Sequence, residues 1–259
     1  MILDEIAAKT RERISEQKKL RSLEEIKEKA LAMPVSDDFP FRKALQGEDI
    51  SFICEVKKAS PSKGVIAEEF PYLEIAKDYE RAGAAAISCL TEPFYFKGSD
   101  AYLEEIAKQV HIPVLRKDFT VDEYMIYEAK LLGASAVLLI CALLEKDTLE
   151  GYLGLAHRLG LSALVEAHDE AEVEMAVSAG AGIIGVNNRD LKTFTVDINN
   201  SARLRKLVPE PVVFVSESGI RTAQDIARLR ENGTNAVLIG ETLMRSPDKK
   251  AQLAMLRGE

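Results

Sequence analysis

Short apolar runs alternate with amphipathic stretches along the chain from about Ser51 onward. Most runs are rich in Val, Ile, Leu or Ala, which is typical of strands covered on both faces. Between them, apolar residues recur at three- and four-residue spacing, which indicates helices. The alternation predicts repeated βα units and a parallel sheet. The strand-like runs are Ser51–Lys57, Ala84–Cys89, Val114–Lys117, Ala136–Ile140, Ala163–Glu166, Gly182–Asn187, Val212–Ser216 and Asn235–Ile239.

Eight strands of this kind are the number that closes a (β/α)8 barrel. Several of the helical stretches are followed by glycine before the next strand, where a helix end commonly needs a left-handed residue. The predicted fold is therefore of the α/β class, a single TIM barrel over residues 1–259. The clearest helical stretches are Leu73–Ala82, Asp122–Leu132, Glu170–Ala179 and Ala223–Glu231.

An extra helical segment precedes the first predicted strand. Leu3, Ile6 and Ile14 share one helical face with Thr10, and the pattern Ser22-x-x-Glu25 opens a second helix before Pro34. We expect residues 1–47 to form an N-terminal helical extension of the barrel. About twenty residues follow the last strand, enough for a final helix but not for a second catalytic domain, so we expect one function in this chain.

Composition narrows the class of protein. The 259 residues are 47% hydrophobic and 29% charged, as in an ordinary globular domain. A net charge of -8 disfavours a nucleic-acid surface, and the basic stretch 9–21 is interleaved with glutamates, as on a solvated helix face. With no signal-peptide pattern and no apolar run of about 20 residues, we expect a cytoplasmic protein without a membrane partner. Oligomeric state has no direct signal here, and a monomer is the working expectation.

Cofactor and metal motifs are missing from the sequence. It contains no H-E-x-x-H, no G-x-G-x-x-G and no Walker-type phosphate loop, so we expect neither a metal nor a cofactor. The cysteines Cys54, Cys89 and Cys141 sit in or beside apolar runs and are expected to be buried, reduced thiols.

Ionisable and amide residues stand at the carboxyl ends of strands that are otherwise apolar, which is where barrel active sites form. In the first strand, period-2 alternation puts Glu55 and Lys57 on one face, either as an internal salt bridge or as part of a site. Together these strand ends offer amines, carboxylates, a guanidinium and amides, a set suited to proton transfers on an anionic substrate. The other marked ends are Arg116-Lys117-Asp118, Glu166, Asn187-Asn188-Arg189-Asp190 and Glu217-Ser218.

Glycine-containing turns follow the seventh and eighth strands, at 218–222 and 239–242. Each leads into a predicted helix whose free N–H groups could hold a phosphate, the common place for one in such barrels. The stretch 60–64 after the first strand is either a polar loop or a loop that covers the substrate. We expect no catalytic role for His111, His157 or His168.

These motifs, in this order, resemble the indole-3-glycerol-phosphate synthase family. The resemblance covers nearly the whole chain and is strongest in Ile53-Cys54-Glu55-Val56-Lys57-Lys58-Ala59-Ser60-Pro61-Ser62-Lys63-Gly64. It continues through Leu115–Phe119, Leu164–Glu166, Val186–Leu191 and Ser216–Ile220.

The resemblance implies a carboxy-lyase of tryptophan biosynthesis that needs no cofactor or metal. Its substrate would be 1-(2-carboxyphenylamino)-1-deoxyribulose 5-phosphate, which closes a ring and loses CO2 and then water. Lys117 looks like the general acid for ring closure, Glu166 like the carboxylate of the later proton removal, and Lys57 orients the substrate carboxylate or shares the acid role. The further residues implied are Glu55, Asn187 and Glu217 in the catalytic set, Arg189 and Ser218 for substrate, and Ser60, Gly219, Gly240 and Glu241 for phosphate.

Three further expectations concern electrostatics. A lysine beside a second lysine and partly desolvated should have a lowered pKa, and we apply this to Lys117 near Lys57. Glu241 stands where some relatives have a small residue and is expected to face solvent, with phosphate bound by backbone N–H groups. Ala59 replaces a lysine of some relatives, which removes one charge contact to phosphate.

Two alternative functions remain open at this point. One is another phosphate-binding barrel enzyme, such as a phosphoribosylanthranilate isomerase, although that chemistry does not need two lysines and three glutamates. The other is a non-catalytic barrel that binds a phosphorylated ligand. The aromatic residues Phe94, Phe96 and Phe119 either cover the substrate ring or pack in the core.

Overall fold

Parallel strands close into a barrel of eight in the computed structural model, which describes residues 2–190 and 193–259. Each predicted run coincides with one barrel strand, with ends shifted by a residue or two, so the TIM-barrel prediction is confirmed. The barrel strands are β1 (Ser51–Val56), β4 (Ala86–Leu90), β5 (Val114–Lys117), β6 (Ala136–Ile140), β7 (Ser162–Ala167), β8 (Ile183–Asn187), β9 (Val213–Glu217) and β10 (Ala236–Ile239).

Barrel closure is made by β1, which pairs in parallel with β4 on one side and with β10 on the other. A short antiparallel hairpin follows β1, formed by β2 (Ala59–Ser60) and β3 (Gly64–Val65). Because all barrel strands are parallel, their carboxyl ends meet at one mouth of the barrel.

Helices cover the barrel, and three of them precede it. The helices are α1 (Ile2–Leu20), α2 (Leu23–Leu31), α3 (Pro40–Ala44), α4 (Tyr72–Arg81), α5 (Asp100–Gln109), α6 (Glu123–Leu131), α7 (Lys146–Arg158), α8 (Glu170–Ser178), α9 (Asn199–Leu204), α10 (Ala223–Glu231), α11 (Glu241–Arg245) and α12 (Lys249–Arg257). None of these helices combines the length and apolarity needed to cross a bilayer.

Alternation along the strands divides the core into two layers. In β1, Phe52, Cys54 and Val56 pack outward among the helices, whereas Ile53 packs inside the barrel. The inner layer is made of residues such as Leu115, Leu138, Leu164 and Val215, all buried. Phe41 of α3 and Leu45, the residue just after α3, join this inner layer. The floor under the mouth is therefore a packed apolar plug rather than a pore.

The first helix lies against the carboxyl ends of the strands. Its predicted buried face is confirmed, because Leu3, Ile6, Thr10 and Ile14 are all buried. Arg13 donates to Asp118 at 2.8 Å just after β5. A second ion pair, Lys18 to Asp122 at 2.6 Å, fixes the other end of the same loop. These contacts hold α1 across one side of the barrel mouth.

Candidate active site

A cavity of about 660 Å³ opens at the mouth formed by the carboxyl ends of the strands. Every residue that the family resemblance nominated for the site lines it, which confirms their proximity and leaves their roles to be tested. These residues are Glu55, Lys57, Ser60, Lys117, Glu166, Asn187, Arg189, Glu217, Ser218, Gly219, Gly240 and Glu241.

Two lysines reach into the cavity, each against a carboxylate. Lys57 Nζ lies 2.5 Å from Glu55 Oε1, so the internal ion pair and the site turn out to be one arrangement. A Cβ added to Gly240 would overlap the Glu55 carboxylate and come within 2.9 Å of Lys57 Nζ. Glycine at 240 is therefore what leaves room for this pair.

Lys117 lies across the cavity between two other carboxylates. Its Nζ is 3.3 Å from Glu166 Oε2 and 3.7 Å from Glu217 Oε2. Burial disfavours the ammonium form, but the surrounding carboxylates outweigh burial and raise the pKa of Lys117 above that of an ordinary lysine. The expected lowering of this pKa is wrong, because barrel closure brings in glutamates that a sequence neighbourhood does not show.

The carboxyl groups of Glu166 and Glu217 are driven in opposite directions. For Glu166, burial is outweighed by Lys117 and by contacts from His168 and Asn187, so its pKa is lowered. For Glu217, burial and the charges of Glu166 and Glu55 outweigh Lys117, so its pKa is raised. Two carboxyls with pKa values pushed apart are suited to separate base and acid roles.

Asn187 and Arg189 form the next part of the wall. The Asn187 amide donates to Glu166 Oε1 at 3.2 Å, and its oxygen accepts from the backbone N–H of Arg189 at 3.0 Å. Arg189 donates to the carbonyl oxygen of Phe194 at 3.2 Å. The amide is thereby fixed with its donor toward the carboxylate. Leu191, the last residue of this motif in the resemblance, lies outside the described residues.

Arg116 precedes Lys117 but turns away from the cavity. Its guanidinium is buried among the helices and donates to Asp100 and to Glu128, each at 2.7 Å. The guanidinium at the mouth is therefore that of Arg189, and Arg116 belongs to the outer layer.

The turn after β10 has the features expected of a phosphate site. Gly240 stands at the start of α11 with no side chain capping the helix. The turn after β9 differs: Thr222 and Asp225 form a capping box at α10, and Asp225 also accepts from Arg221 N–H. The N–H groups of Arg221, Thr222 and Asp225 are thus already occupied within the protein, so these three are not free to bind a phosphate. Gly219, with φ of +86°, still lines the cavity.

Glu241 does not face bulk solvent as expected. Its side chain is 27% exposed and lines the cavity. Its carboxylate lies 3.7 Å from Lys63 Nζ and 3.1 Å from Arg245 Nε. Two cations therefore offset its charge. One of them, Lys63, lies in the turn between β2 and β3.

Apolar side chains cover the rest of the cavity. Phe96 and Phe119 both line it, with ring centroids 5.9 Å apart, whereas Phe94 is 57% exposed and lies outside it. Leu3 and Ile6 of α1 also line the cavity. The sequence predicted the apolar face of α1 but carried no signal of where that face would pack.

The contact between His168 and Glu166 was not predicted from the sequence. His168 Nε2 lies 3.4 Å from Glu166 Oε1, although the ring lies outside the cavity lining. Its position two residues after Glu166 was the only available signal. Within residues 2–190 and 193–259, no cluster of three His, Cys, Asp or Glu side chains has the arrangement of a metal site.

Comparison with known families gives a match over nearly the full chain. The family model described as "Indole-3-glycerol phosphate synthase" matches residues 3–256. A protein of that name from Ruminiclostridium cellulolyticum is 62% identical over 258 residues, covering 100% of this chain and 99% of the relative. One of the same name from Endomicrobium trichonymphae is 55% identical over 257 residues, covering 99% and 100%.

Solved structures share the fold at low identity. The 3-hexulose-6-phosphate synthase of Salmonella typhimurium has a TM-score of 0.66 at 14% identity, covering 81% of this chain and 97% of that chain. A mutant tryptophan synthase alpha-subunit from Pyrococcus furiosus has a TM-score of 0.63 at 15% identity, covering 82% and 99%. At these identities the likeness concerns the barrel alone.

Proposed function

The chain belongs to the indole-3-glycerol phosphate synthase family, and from that premise we propose how its site catalyses the synthase reaction. The substrate, 1-(2-carboxyphenylamino)-1-deoxyribulose 5-phosphate, becomes indole-3-glycerol phosphate with loss of CO2 and water, a step of tryptophan biosynthesis. The observation that carries the proposal is the convergence of two lysines and three glutamates on one cavity of a chain that matches the family model over residues 3–256.

Lys117 is the general acid of ring closure in this proposal. The aromatic carbon that bears the carboxylate attacks the ketone carbon, and the ketone oxygen takes a proton from the Lys117 ammonium. The raised pKa keeps this amine protonated at neutral pH, as an acid must be before it acts. Cleavage of the bond to the carboxylate then releases CO2 and returns its electron pair to the ring.

Glu166 is the base of the dehydration step. Its lowered pKa keeps it ionised, so it can accept the proton removed as the hydroxyl leaves as water. Asn187 orients this carboxylate through its amide donor. Glu217, whose pKa is raised, is the neighbouring carboxyl that is able to hold a proton for the departing hydroxyl or for a substrate hydroxyl.

Substrate anchoring uses the two ends of the cavity. Lys57, held by Glu55, faces the substrate carboxylate, while Arg189 and Ser218 contact substrate polar groups. The phosphate rests on Ser60 and on the backbone of Gly219, Gly240 and Glu241. The apolar wall between these ends takes the aromatic ring.

Product formation is the direct test of the activity. Purified protein is mixed with the substrate in EDTA without added cofactor, and indole-3-glycerol phosphate is followed by fluorescence. Product would support the synthase activity and exclude a requirement for an added divalent metal. Tight binding without product would favour a non-catalytic phosphate-ligand barrel, and neither binding nor product would refute the proposed ligand.

The assignment of the general-acid role to Lys117 rather than Lys57 is tested with the variants Lys57→Met and Lys117→Met. We expect single-turnover ring closure to fall by about 10²-fold or more in Lys117→Met, the range typical of a lost general acid. Lys57→Met should raise KM more than it lowers kcat. A Lys117 variant that kept most of its ring-closure rate would contradict the assignment.

Organisation and location complete the proposal. Residues 1–259 form a single domain, with 1–47 as an N-terminal extension that the ion pairs of Arg13 and Lys18 attach to the barrel. The protein works as a monomer in the cytoplasm, where three buried and unpaired cysteines remain reduced. Light scattering of the purified chain measures its mass directly, and a dimer mass would refute the monomer.

A further inference from the structure

His168 contacts Glu166 but does not line the cavity at the barrel mouth. It lines a second cavity, of about 630 Å³, that does not contain Glu166. Its Nε2 is 3.4 Å from Glu166 Oε1, and its Nδ1 is 3.1 Å from Glu172 Oε2. The imidazole is therefore placed between the carboxylate of the active site and a second carboxylate on α8.

Glu172 fixes the orientation of the ring. One of its oxygens, Oε2, accepts from the backbone N–H of His168 at 2.7 Å as well as facing Nδ1. An ionised carboxylate can only accept, so Nδ1 carries a hydrogen. This leaves Nε2 directed at Glu166 at ion-pair distance; the atom is buried and has no hydrogen-bond partner within the described residues.

A positive charge on the His168 imidazole would matter for Glu166 when the Lys117 ammonium loses its proton. Glu166 is contacted by Lys117 at Oε2, and by Asn187 and His168 at Oε1. Once the Lys117 ammonium gives its proton to the substrate, it no longer balances the buried carboxylate. An imidazolium at His168 would still balance it, from 3.4 Å away.

The surroundings favour that charged form. Burial lowers the pKa of His168, but Glu166 and Glu172 outweigh burial and raise it to about 10. The ring is therefore protonated at neutral pH. The titratable or charged groups that interact with these side chains or share the second cavity with His168 are Lys117, Cys141, Asp169, Glu172, Arg189, Asp190, Asp197, Arg203 and Glu217.

We propose that His168, held by Glu172, is a positioning residue for Glu166 that fixes its Oε1 and keeps the carboxylate ionised for the dehydration step. The inference rests on the proposed function, since it assigns His168 a role only through the base role of Glu166. His168 does not line the substrate cavity, so it acts on Glu166 and not on the substrate.

The test is a double-mutant cycle between His168→Ala and Glu166→Gln. Single-turnover product formation should fall about tenfold in His168→Ala, because a small misplacement of a catalytic group costs up to about 10²-fold. In the Glu166→Gln background the same change should cost nothing further. The acid limb of the pH–rate profile should also move up by about one unit, since losing a nearby opposite charge raises a carboxyl pKa by about 1–3 units.

His111 provides a matched control. Its backbone N–H donates to Glu80 at 2.6 Å and its Nδ1 lies 3.4 Å from the same oxygen, but its side chain is 95% exposed and faces no active-site carboxylate. We expect His111→Ala to keep the wild-type rate and pH profile. Glu172→Gln retains an oxygen for the His168 N–H but loses the charge, so it should shift the acid limb in the same direction by less.

The possible results distinguish the role of His168, the role of Glu166 and the proposed function from one another. A loss of equal size in both backgrounds, or an unchanged acid limb, would show that His168 supports only the fold and would overturn the inference. A Glu166→Gln variant with the wild-type rate would overturn the role of Glu166. Absence of product from the wild-type protein would instead refute the proposed function.

Discussion

Replacing Arg116 with methionine separates the two faces of β5. Arg116 is 2% exposed and contacts the carboxylates of Asp100 and Glu128, whereas the next residue, Lys117, lines the cavity. Methionine keeps an unbranched stem of similar bulk, so Arg116→Met mainly removes the charge. The Glu128 carboxylate, 6% exposed, is then left buried without its cation.

The expected cost follows from that unpaired charge. Removing one partner of a buried ion pair costs about 3–5 kcal/mol. For a chain of this size, 1 kcal/mol moves the midpoint of thermal unfolding by about 2–4 °C, so the fall should be about 6–20 °C. Arg116→Met combined with Glu128→Met should recover most of it, because replacing a whole buried ion pair by apolar residues is often neutral.

The assay combines thermal unfolding, followed by circular dichroism, with single-turnover product formation below the transition. Folded Arg116→Met/Glu128→Met protein should retain the wild-type rate within about threefold, in contrast to Lys117→Met, since surface and core changes away from the reacting groups act mainly on stability. A midpoint unchanged in Arg116→Met, or a double variant as inactive as Lys117→Met, would refute the assignment of the two side chains to opposite faces.

Three further outcomes test the site. Gly240→Ala should lower kcat/KM by about 10²-fold, because the new Cβ displaces the Glu55 carboxylate, while Gly151→Ala, with nothing within 4 Å of its Cβ, should not. Burial raises the folded-state pKa of Glu217, so the free energy of unfolding of the wild type should fall as pH rises above the ordinary glutamate range. Glu217→Gln should remove that fall. If the difference in free energy of unfolding between wild type and variant, measured with urea, is the same at about pH 5 and pH 9, this reasoning is wrong. Glu241→Gln should lower KM up to about fivefold at low salt, and a raised KM would mean that its carboxylate assists binding.

The local pattern of the sequence determined the strands, the faces and the place of the site. Period-2 alternation put Glu55 and Lys57 on one side of β1, and the structure has them paired in the cavity. The apolar character of the strands, interrupted only near their ends, placed the ionisable side chains at the mouth because parallel strands end together. The order of the motifs also indicated the family, and the match of the family model to residues 3–256 confirms it.

The tertiary structure alone decided which charges face one another. The sequence suggested that Lys117 lies near Lys57 and has a lowered pKa, whereas β7 and β9 bring Glu166 and Glu217 within 4 Å of it and raise that pKa. In the same way, one of the two cations beside Glu241, Lys63, comes from the turn between β2 and β3, far from α11 in the chain. A strand's period fixes the side on which a residue lies, but its electrostatic surroundings depend on barrel closure and on how the strands and loops pack, because Coulomb interactions follow distance in space rather than separation in sequence.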